Sequence, residues 1–294
     1  MTPSMDLNKN FIKTKQPCAD GFRWFLRHHQ EGSNYQDLLD ALVAAGRVSD
    51  ACWLLSQFGP TNAVLSVDEI SADALVFAGS LEVRGNIEVD TVVRTGGNIQ
   101  AGGSIVVGQS LVSGGDIKAG GSVRSDGSLE ATGHIRAGWG IEAREQLRCG
   151  GDIRAAWELW CGGPLHVEGN ASVGQDLITQ GPIQCNKSLQ VGGRLAAHDS
   201  IRAKDGIQAG GSVECGMHLE AGWGIRAGLS ILADGAIRAG ESLSAQEAIS
   251  AGPGYGIYAG LNVQMESWEC SARVHACTKP AGLMSGWWAG VREV

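Results

Sequence analysis

The chain carries a large aliphatic residue at almost every sixth position from Leu75 to Ile249, and no insertion interrupts the count. Among these thirty positions only Ala171 is not a large aliphatic residue. Two residues after each of them, from Ala101 to Ala251, the side chain is always Ala, Cys, Ser, Thr or Val. A large residue followed two positions later by a small one is the alternation of a β-strand, whereas a helix needs apolar spacings of three and four. Each hexad is therefore predicted to be a short strand with two inward side chains, followed by a turn.

Short strands that turn by equal angles close a three-sided coil about every three hexads, or 18 residues. The pattern predicts a mainly β protein, a three-sided parallel β-helix of about ten coils, on the order of 45–50 Å long at roughly 4.8 Å per coil. Paired glycines at the turns, such as Gly102-Gly103 and Gly120-Gly121, are interpreted as suppliers of the positive φ angles that corners need. A solenoid coil contacts only its neighbours, so both ends require a cap.

The segments that flank the hexads are interpreted as these two caps. Residues 1–60 are predicted to form a small N-terminal α-helical cap, residues 61–263 the parallel β-helix, and residues 264–294 a C-terminal capping tail. Within the first segment we expect residues 1–16 to be extended. Three helices should follow: one begun near Asp20, one over residues 35–45 capped by Asn34, and one over residues 50–58 capped by Ser49. The alternative for this helical segment is a separate recognition module.

Charge and hydropathy narrow the class of protein. The net charge of −8 over 294 residues argues against a broad nucleic-acid footprint. Residues 1–17 lack the apolar region of a signal peptide, and no run of 18 apolar residues exists that would span a membrane. We therefore expect a cytoplasmic protein without a membrane span.

The cysteines fit the same pattern. Four of the eight occupy the small inward position of a hexad: Cys149, Cys161, Cys185 and Cys215. They are interpreted as buried small side chains in a reducing compartment. Cys149 and Cys185 would share a side but lie two coils apart, roughly 9–10 Å, which is too far for a disulfide. Cys270 and Cys277 lack zinc-finger spacing, so no metal and no cofactor is predicted.

Residues that directly follow the large aliphatics point outward, and the three sides differ. One side is unusually apolar, with Val106, Trp160, Ile178, Ala196 and Leu232. An apolar patch with an aromatic residue and a polar rim is typical of a protein-binding surface. In the tail, Trp287 and Trp288 are candidates for a second anchor on a partner protein.

The candidates for chemistry are histidines of the repeats, of which His134 and His218 lie in the near-duplicate segments HIRAGWG and HLEAGWG. Their separation of 84 residues is 14 hexads, which is not a multiple of three, so we expect them on different sides. Hexad-repeat acyltransferases use a histidine as general base and usually close the pocket with a loop excursion, and this lattice has none before residue 252. The protein is predicted not to be an enzyme and to have no catalytic residues.

The segments Gly115-Asp-Ile-Lys-Ala-Gly-Gly-Ser-Val, Gly127-Ser-Leu-Glu-Ala and Gly151-Asp-Ile-Arg-Ala resemble the repeats of bactofilins, a polymer-forming cytoskeletal family. The resemblance covers about residues 75–263. It implies a right-handed three-sided β-helix, and bactofilins polymerise through uncovered end coils. The flanking segments of this chain depart from that plan.

Three functional hypotheses follow. The leading one is a non-enzymatic bacterial β-solenoid that binds a partner protein through a flat side of the shaft, with an immunity protein or inhibitor of a toxin as the type considered. The first alternative is a bactofilin-like scaffold whose partner is a second copy of itself. The second alternative is a hexapeptide-repeat acyltransferase.

Overall fold

The computed structural model describes residues 6, 7, 9–29, 32–264 and 266–291. Each hexad from Leu75 to Ile249 forms a strand of two to four residues, and successive strands lie in turn on three parallel sheets. Each strand pairs with the strand one coil further on, so that Ile117, Ile135 and Ile153 stack in one column. The prediction of a mainly β, three-sided parallel β-helix is confirmed.

We number the sheets by their first strand and count the strands that the described residues form. Sheet 1 has 13 strands: Val64–Val67, Ser80–Val83, Ile99–Ala101, Ile117–Ala119, Ile135–Ala137, Ile153–Ala155, Ala171–Val173, Leu189–Val191, Ile207–Ala209, Ile225–Ala227, Leu243–Ser244, Arg273–His275 and Trp287–Gly290. Sheet 2 has 11 strands: Ile70–Ala72, Ile87–Val89, Ile105–Val107, Val123–Ser125, Ile141–Ala143, Leu159–Cys161, Leu177–Thr179, Leu195–Ala197, Val213–Cys215, Ile231–Ala233 and Ile249–Ser250. Sheet 3 has 12 strands: Leu75–Phe77, Val92–Thr95, Ser110–Ser113, Leu129–Ala131, Leu147–Cys149, Leu165–Val167, Ile183–Cys185, Ile201–Ala203, Leu219–Ala221, Ile237–Ala239, Ile257–Tyr258 and Leu283–Ser285.

The solenoid is longer than the hexads predicted, since its longest sheet has 13 strands against the expected ten or so coils. The additional strands lie at the two ends, where the sixfold spacing fails. At the start, Leu65 pairs with Leu81, a separation of 16 residues instead of 18. At the end, Leu243 pairs with Val274 across an insertion. A count of strict periods misses coils whose corners have gained or lost residues.

The inward residues form one continuous core. The large aliphatics of the column are almost completely buried, and the small inward positions often carry a hydroxyl or a thiol. Ser113 Oγ donates to the Gly97 carbonyl oxygen at 2.9 Å, and Cys149 Sγ donates to the Gly133 carbonyl oxygen at 3.3 Å. Serine and cysteine therefore have one role here, which is to satisfy corner carbonyls from inside the core.

The corner glycines are explained by close approach of stacked backbones, and the predicted reason, a positive φ angle, is wrong. Among the described residues between 75 and 251, no glycine has a positive φ. A Cβ at Gly120 would overlap the carbonyl oxygen of Gly102, which lies one coil below.

A ladder of side-chain hydrogen bonds runs along the corner between sheets 3 and 1. The side chain before each strand accepts the N–H of the equivalent residue one coil on. Asn98 Oδ1 accepts from Asp116 at 2.8 Å, and Asp116 Oδ1 accepts from His134 at 2.7 Å. His134 Nδ1 accepts from Asp152 at 2.8 Å. Asp152 Oδ1 in turn accepts the Asn170 N–H, which lowers the pKa of the Asp152 carboxyl.

In the described part of the N-terminal segment, four helices precede the shaft: α1 (Lys9–Thr14), α2 (Ala19–His28), α3 (Tyr35–Ala44) and α4 (Val48–Phe58). The expected extended conformation of residues 1–16 is wrong for α1, while residues 1–5 and 8 lie outside the described residues. Asn34 caps α3 as predicted, by accepting the Gln36 N–H at 2.9 Å. Ser49 does not cap α4; Arg47 occupies that N-cap and pairs with Asp20 at 2.8 Å. A short strand, Asp6–Leu7, pairs antiparallel with Ser33–Asn34.

The helices pack on the outward face of the first strand of sheet 3. Val76 of that strand and Ala78 just after it are buried in the helical core instead of the solenoid core. Inward residues of the first strands of sheets 1 and 2, such as Leu65 and Ile70, are only half-buried. The helical cap therefore covers the sheet 3 side of the first coil.

The C-terminal segment continues the solenoid. Its strands Arg273–His275 and Trp287–Gly290 extend sheet 1, and Leu283–Ser285 extends sheet 3. A single-turn helix, α5 (Trp268–Ser271), precedes them. None of the helices in the described part of the chain is long and apolar enough to cross a membrane.

Candidate functional site

The five apolar residues predicted to share a side all lie on the outward face of sheet 2. Trp160, Ile178 and Ala196 are neighbours on successive strands and form a continuous row. Val106 is separated from this row by two charged residues, and Leu232 is separated from it by one. The structure therefore brings three of the five together and places the other two on the same face.

The row is half-buried, and its packing is local. The Trp160 ring leans over Gly162, where a Cβ would come within 3.1 Å of Cη2. Ile178 and Ala196 lie beside a shallow groove that continues to Leu232. Val106 is 40% exposed, more than the residues of the row.

Two exposed tryptophans lie at the corner between sheets 1 and 2. The backbones of Trp139 and Trp157 lie one coil apart and are joined by a hydrogen bond of 3.0 Å, from Trp157 N to Trp139 O. Their side chains are 68% and 57% exposed, so neither is used to pack the corner. Trp157 lies three residues before Trp160. We call the surface formed by Trp139, Trp157, Trp160 and Ile178 the tryptophan face. The separation of Trp139 and Trp157 by 18 residues in the sequence equals one coil, whereas the sixfold pattern of inward residues does not link the pair to the sheet 2 row.

Charged residues flank the tryptophan face at one end. Arg124 lies 3.1 Å from an Asp126 carboxylate oxygen and 3.9 Å from one of Glu142, and Arg144 reaches the same Asp126 oxygen at 3.2 Å. The hydrogen bond with Asp126 raises the pKa of Arg124. These charges largely satisfy one another, as expected of a polar rim.

A second charge pair interrupts the apolar surface further along sheet 2. Arg194 Nη2 binds a carboxylate oxygen of Glu214, which separates Ala196 from Leu232 in the outward row.

Trp287 and Trp288 lie far from the tryptophan face, in the last strand of sheet 1. That strand is seven strands beyond Ile153–Ala155, or about 34 Å at roughly 4.8 Å per strand. Trp287 Nε1 donates to the Glu269 carbonyl oxygen at 2.7 Å, and Trp288 Nε1 donates to the Ala276 carbonyl oxygen at 3.3 Å. Both indoles thus tie the tail together and remain partly exposed.

The structure places His134 and His218 on different corners. His134 precedes a strand of sheet 1 and accepts the Asp152 N–H, whereas His218 precedes a strand of sheet 3 and accepts the Ala236 N–H at 3.0 Å. In both rings Nδ1 is the acceptor, so each histidine has a structural role at its corner.

His166 lies on the outward face of sheet 3, where its Nε2 is 2.7 Å from Glu168 Oε1. The hydrogen bonds from His166 and Asn186 lower the pKa of Glu168.

The inward cysteines are buried free thiols. Burial raises the pKa of Cys149 and of Cys215 to about 11. Cys149 and Cys185 lie in sheet 3 with Val167 between them, as the period predicted. Among the described residues, no group of three or more His, Cys, Asp or Glu could hold a metal ion.

Comparison with known proteins bears on the helical cap. Residues 5–59 match the family model described as YdhT N-terminal domain. Neither the curated proteins nor the solved structures yielded a match. The resemblance of the repeats to bactofilins stays a prediction. The chain is thus a three-sided β-solenoid whose N-terminal helical segment is similar to the YdhT N-terminal domain.

Proposed function

We propose that the protein binds a partner protein through the tryptophan face and catalyses no reaction. The observation that carries this proposal is the pair of exposed corner indoles, Trp139 and Trp157, at the corner next to sheet 2, whose outward face carries the Trp160–Ile178 row. Tryptophan is enriched among the residues that dominate binding energy, and contiguous exposed apolar patches mark interaction sites.

The energetics favour association over exposure. Each square ångström of apolar surface removed from water contributes roughly 25 cal/mol, and an indole offers some of the largest apolar area of any side chain. The flanking charges of Arg124 and Arg194 are paired within the chain, so a partner that covers the apolar surface would not leave them without a counter-charge. Strands held in register on both sides keep the surface rigid, which lowers the entropy cost of binding.

The finer form of the proposal is an immunity or inhibitor role towards a toxin. A stiff shaft can cover the working surface of another protein by steric occlusion alone. A net charge of −8 would also speed association with a basic partner. This role rests on shape and charge, and on no relative.

Affinity capture from the source organism tests the proposal, followed by calorimetry with the identified partner. Ile178→Arg combined with Trp160→Ala should weaken binding by at least about tenfold, since hot-spot residues contribute 2 kcal/mol or more each. Gln190→Arg, an exposed outward position on sheet 1, is the matched control and should bind as the wild type does. Equal binding by all three proteins would remove the tryptophan face from consideration. A turnover assay of the purified protein with acyl-CoA substrates would reveal the acyltransferase alternative.

End-to-end self-assembly is a second candidate, favoured by the two ends of sheet 1. Val64–Val67 and Trp287–Gly290 are its outermost described strands, each without a strand neighbour on its outer side. Open edges of one parallel sheet can join head to tail, and such a contact repeats without closing. Light scattering over a concentration series, with negative-stain microscopy, would show filaments. A monodisperse monomer at all concentrations would reject this candidate.

A further inference from the structure

We infer that sheet 3 carries a binding site for a small molecule bearing an oxyanion, a phosphate or a carboxylate group. The site is an open groove of about 350 Å³ whose polar lining includes Gln184, Arg202, His218, Glu220 and Arg238. It lies on a different sheet from the tryptophan face and does not depend on the partner proposed above.

Four of these residues form one outward row. Gln184, Arg202, Glu220 and Arg238 occupy neighbouring strands in register, so their Cα atoms follow one another at roughly 4.8 Å. Arg202 Nη2 lies 2.7 Å from Glu220 Oε2, so the one carboxylate of this row is already paired with Arg202. Arg238 lies over the Tyr258 ring, with Cζ 5.9 Å from its centroid. Two guanidinium groups therefore face one carboxylate, a local excess of positive charge on an acidic protein.

His218 adds a directed donor at the corner side of the groove. Its Nδ1 accepts the Ala236 N–H, so the neutral ring carries its proton on Nε2, the nitrogen on the other side of the ring. An Nε2–H, an amide and two guanidinium groups make a lining dominated by hydrogen-bond donors. A ligand that supplies several acceptors and a negative charge complements it.

An insertion in the repeat contacts one lining residue of this site. Residues 253–256 displace the sixfold count by two, and Tyr255 from this segment contacts the edge of the His218 ring, with centroids 5.5 Å apart at 78°. His218 lies two coils below, so Tyr255 spans the Ala236 corner. Tyr258 packs against the same segment, close to Gly256. Two tyrosines thus lie against lining residues of the groove, Tyr255 against His218 and Tyr258 against Arg238.

Comparison with the near-duplicate segment at His134 shows which features are particular to the groove at His218. His134 makes the same Nδ1 hydrogen bond to the backbone, but an Asp152 carboxylate oxygen lies 3.6 Å from that nitrogen. A carboxylate at this distance repels an anion. The repeat alone therefore does not create the site; the arginines that line the groove with His218 distinguish it.

The chemistry selects a planar or tetrahedral oxyanion. Guanidinium groups bind carboxylate and phosphate oxygens in a bidentate fork, and Arg238 and His218 together supply donors from two directions. The open groove leaves room for the polar remainder of a small molecule. A phosphate ester and a carboxylic acid share this recognition, and the experiment separates them.

Calorimetric titration of the full-length protein at low ionic strength tests the inference, with inorganic phosphate, citrate and uncharged glucose as probes. We expect saturable binding of at least one anion with a Kd in the range of about 1 mM, and none of glucose. Tighter phosphate binding would assign a phosphorylated ligand, and tighter citrate binding a carboxylated one. His218→Asn should weaken anion binding about tenfold, because it removes the Nε2 donor. It keeps an acceptor for the Ala236 N–H, as Asn98 does at its own corner.

His134→Asn is the matched control and should change the Kd by less than about twofold, since the remote corner makes no ligand contact. Arg238→Gln is the second variant, and a measurement of its melting temperature will check that it folds. If the wild-type protein shows no saturable binding of phosphate or citrate up to about 20 mM, the inference is overturned. Binding that His218→Asn and Arg238→Gln both leave unchanged would overturn it equally.

Discussion

The side-chain Nε2 of Gln36 donates a hydrogen bond of 3.1 Å to the carbonyl oxygen of Val76. Its Oε1 accepts the N–H of Ala78 at 2.9 Å, so one amide group satisfies two backbone groups of the first strand of sheet 3. That strand has no described strand neighbour on its outer side. The Gln36 amide thus takes the place of a peptide group of an additional strand, which joins the helical cap to the shaft and protects the edge.

Replacing Gln36 by Leu should destabilise this junction. The Val76 carbonyl and the Ala78 N–H would lose their partner in a buried setting, which costs about 1–3 kcal/mol. Hydrogen exchange of the Ala78 amide should become about five- to 150-fold faster, in line with that loss. Gln190→Leu on the exposed face of sheet 1 should leave the same amide unchanged. An unaltered Ala78 exchange rate in the Gln36 variant would contradict the role of the amide.

The corner ladder predicts that His134→Ala and His134→Asn differ. Alanine leaves the Asp152 N–H without its acceptor and should lower the free energy of unfolding by about 1 kcal/mol. Asparagine supplies an acceptor of the kind that Asn98 supplies two rungs away, and should be close to neutral. Urea unfolding of both variants measures the difference. Equal destabilisation would mean that ring packing, and not the hydrogen bond, is what His134 contributes.

The buried thiols predict a loss of stability in alkaline solution. Folding raises the pKa of Cys149 and Cys215 from an ordinary 9.0 to about 11. Between these values the unfolded thiols release protons that the folded ones keep, so the free energy of unfolding falls as pH rises from about 9 to 11. The double variant Cys149→Ser, Cys215→Ser should flatten this decline while keeping hydrogen bonds like those of Ser113.

Denaturant titrations of the wild type and the double serine variant at several pH values measure the slope. The effect requires that the thiols stay protected, so maleimide should label exposed Cys18 in the native protein and leave Cys149 unmodified. An identical pH dependence of the two proteins would show that other groups cause the alkaline loss.

Ala171 predicts a local test of core packing. It is the one small residue of the large-aliphatic column, and Val173 and Val167 in the same coil occupy positions that are often alanine. Ala171→Ile should overpack this coil and cost about 1–3 kcal/mol. Adding Val173→Ala should recover most of the loss, because it restores the common large–small arrangement. Melting temperatures measure the effects of both variants. If Ala171→Ile alone is more stable than the wild type, the core has a void at Ala171 that Val167 and Val173 do not fill.

The strict period determined most of the fold in advance, because a spacing of six with a small partner two residues on has one stable solution. Columns such as Ile117, Ile135 and Ile153 could be derived from counting alone. The end coils could not, since their corners differ in length and only tertiary pairing shows that Leu243 meets Val274. Helix α1 is six residues long, too short for its pattern to predict it, and it packs through Ile12.

The candidate sites divide in the same way. The outward row of sheet 2 follows from position in the hexad, so Trp160, Ile178 and Ala196 could be placed together from sequence. The exposure of Trp139 and Trp157 could not, because the period does not say whether a corner side chain folds back or projects. The contact of Tyr255 with His218 beside the groove could not be predicted either, because an irregular insertion sets the position of Tyr255.

Because each coil has 18 residues, the length of the shaft can change without a change in the direction in which its side chains point. Deleting one whole coil would shorten the molecule by about one strand spacing and return every downstream side chain to the same compass direction. Deleting a single hexad would turn everything beyond the cut by a third of a revolution. A change in the number of repeats can therefore change the length of the shaft. The angle between the tryptophan face and the sheet 3 groove is kept only when the change is a multiple of three hexads.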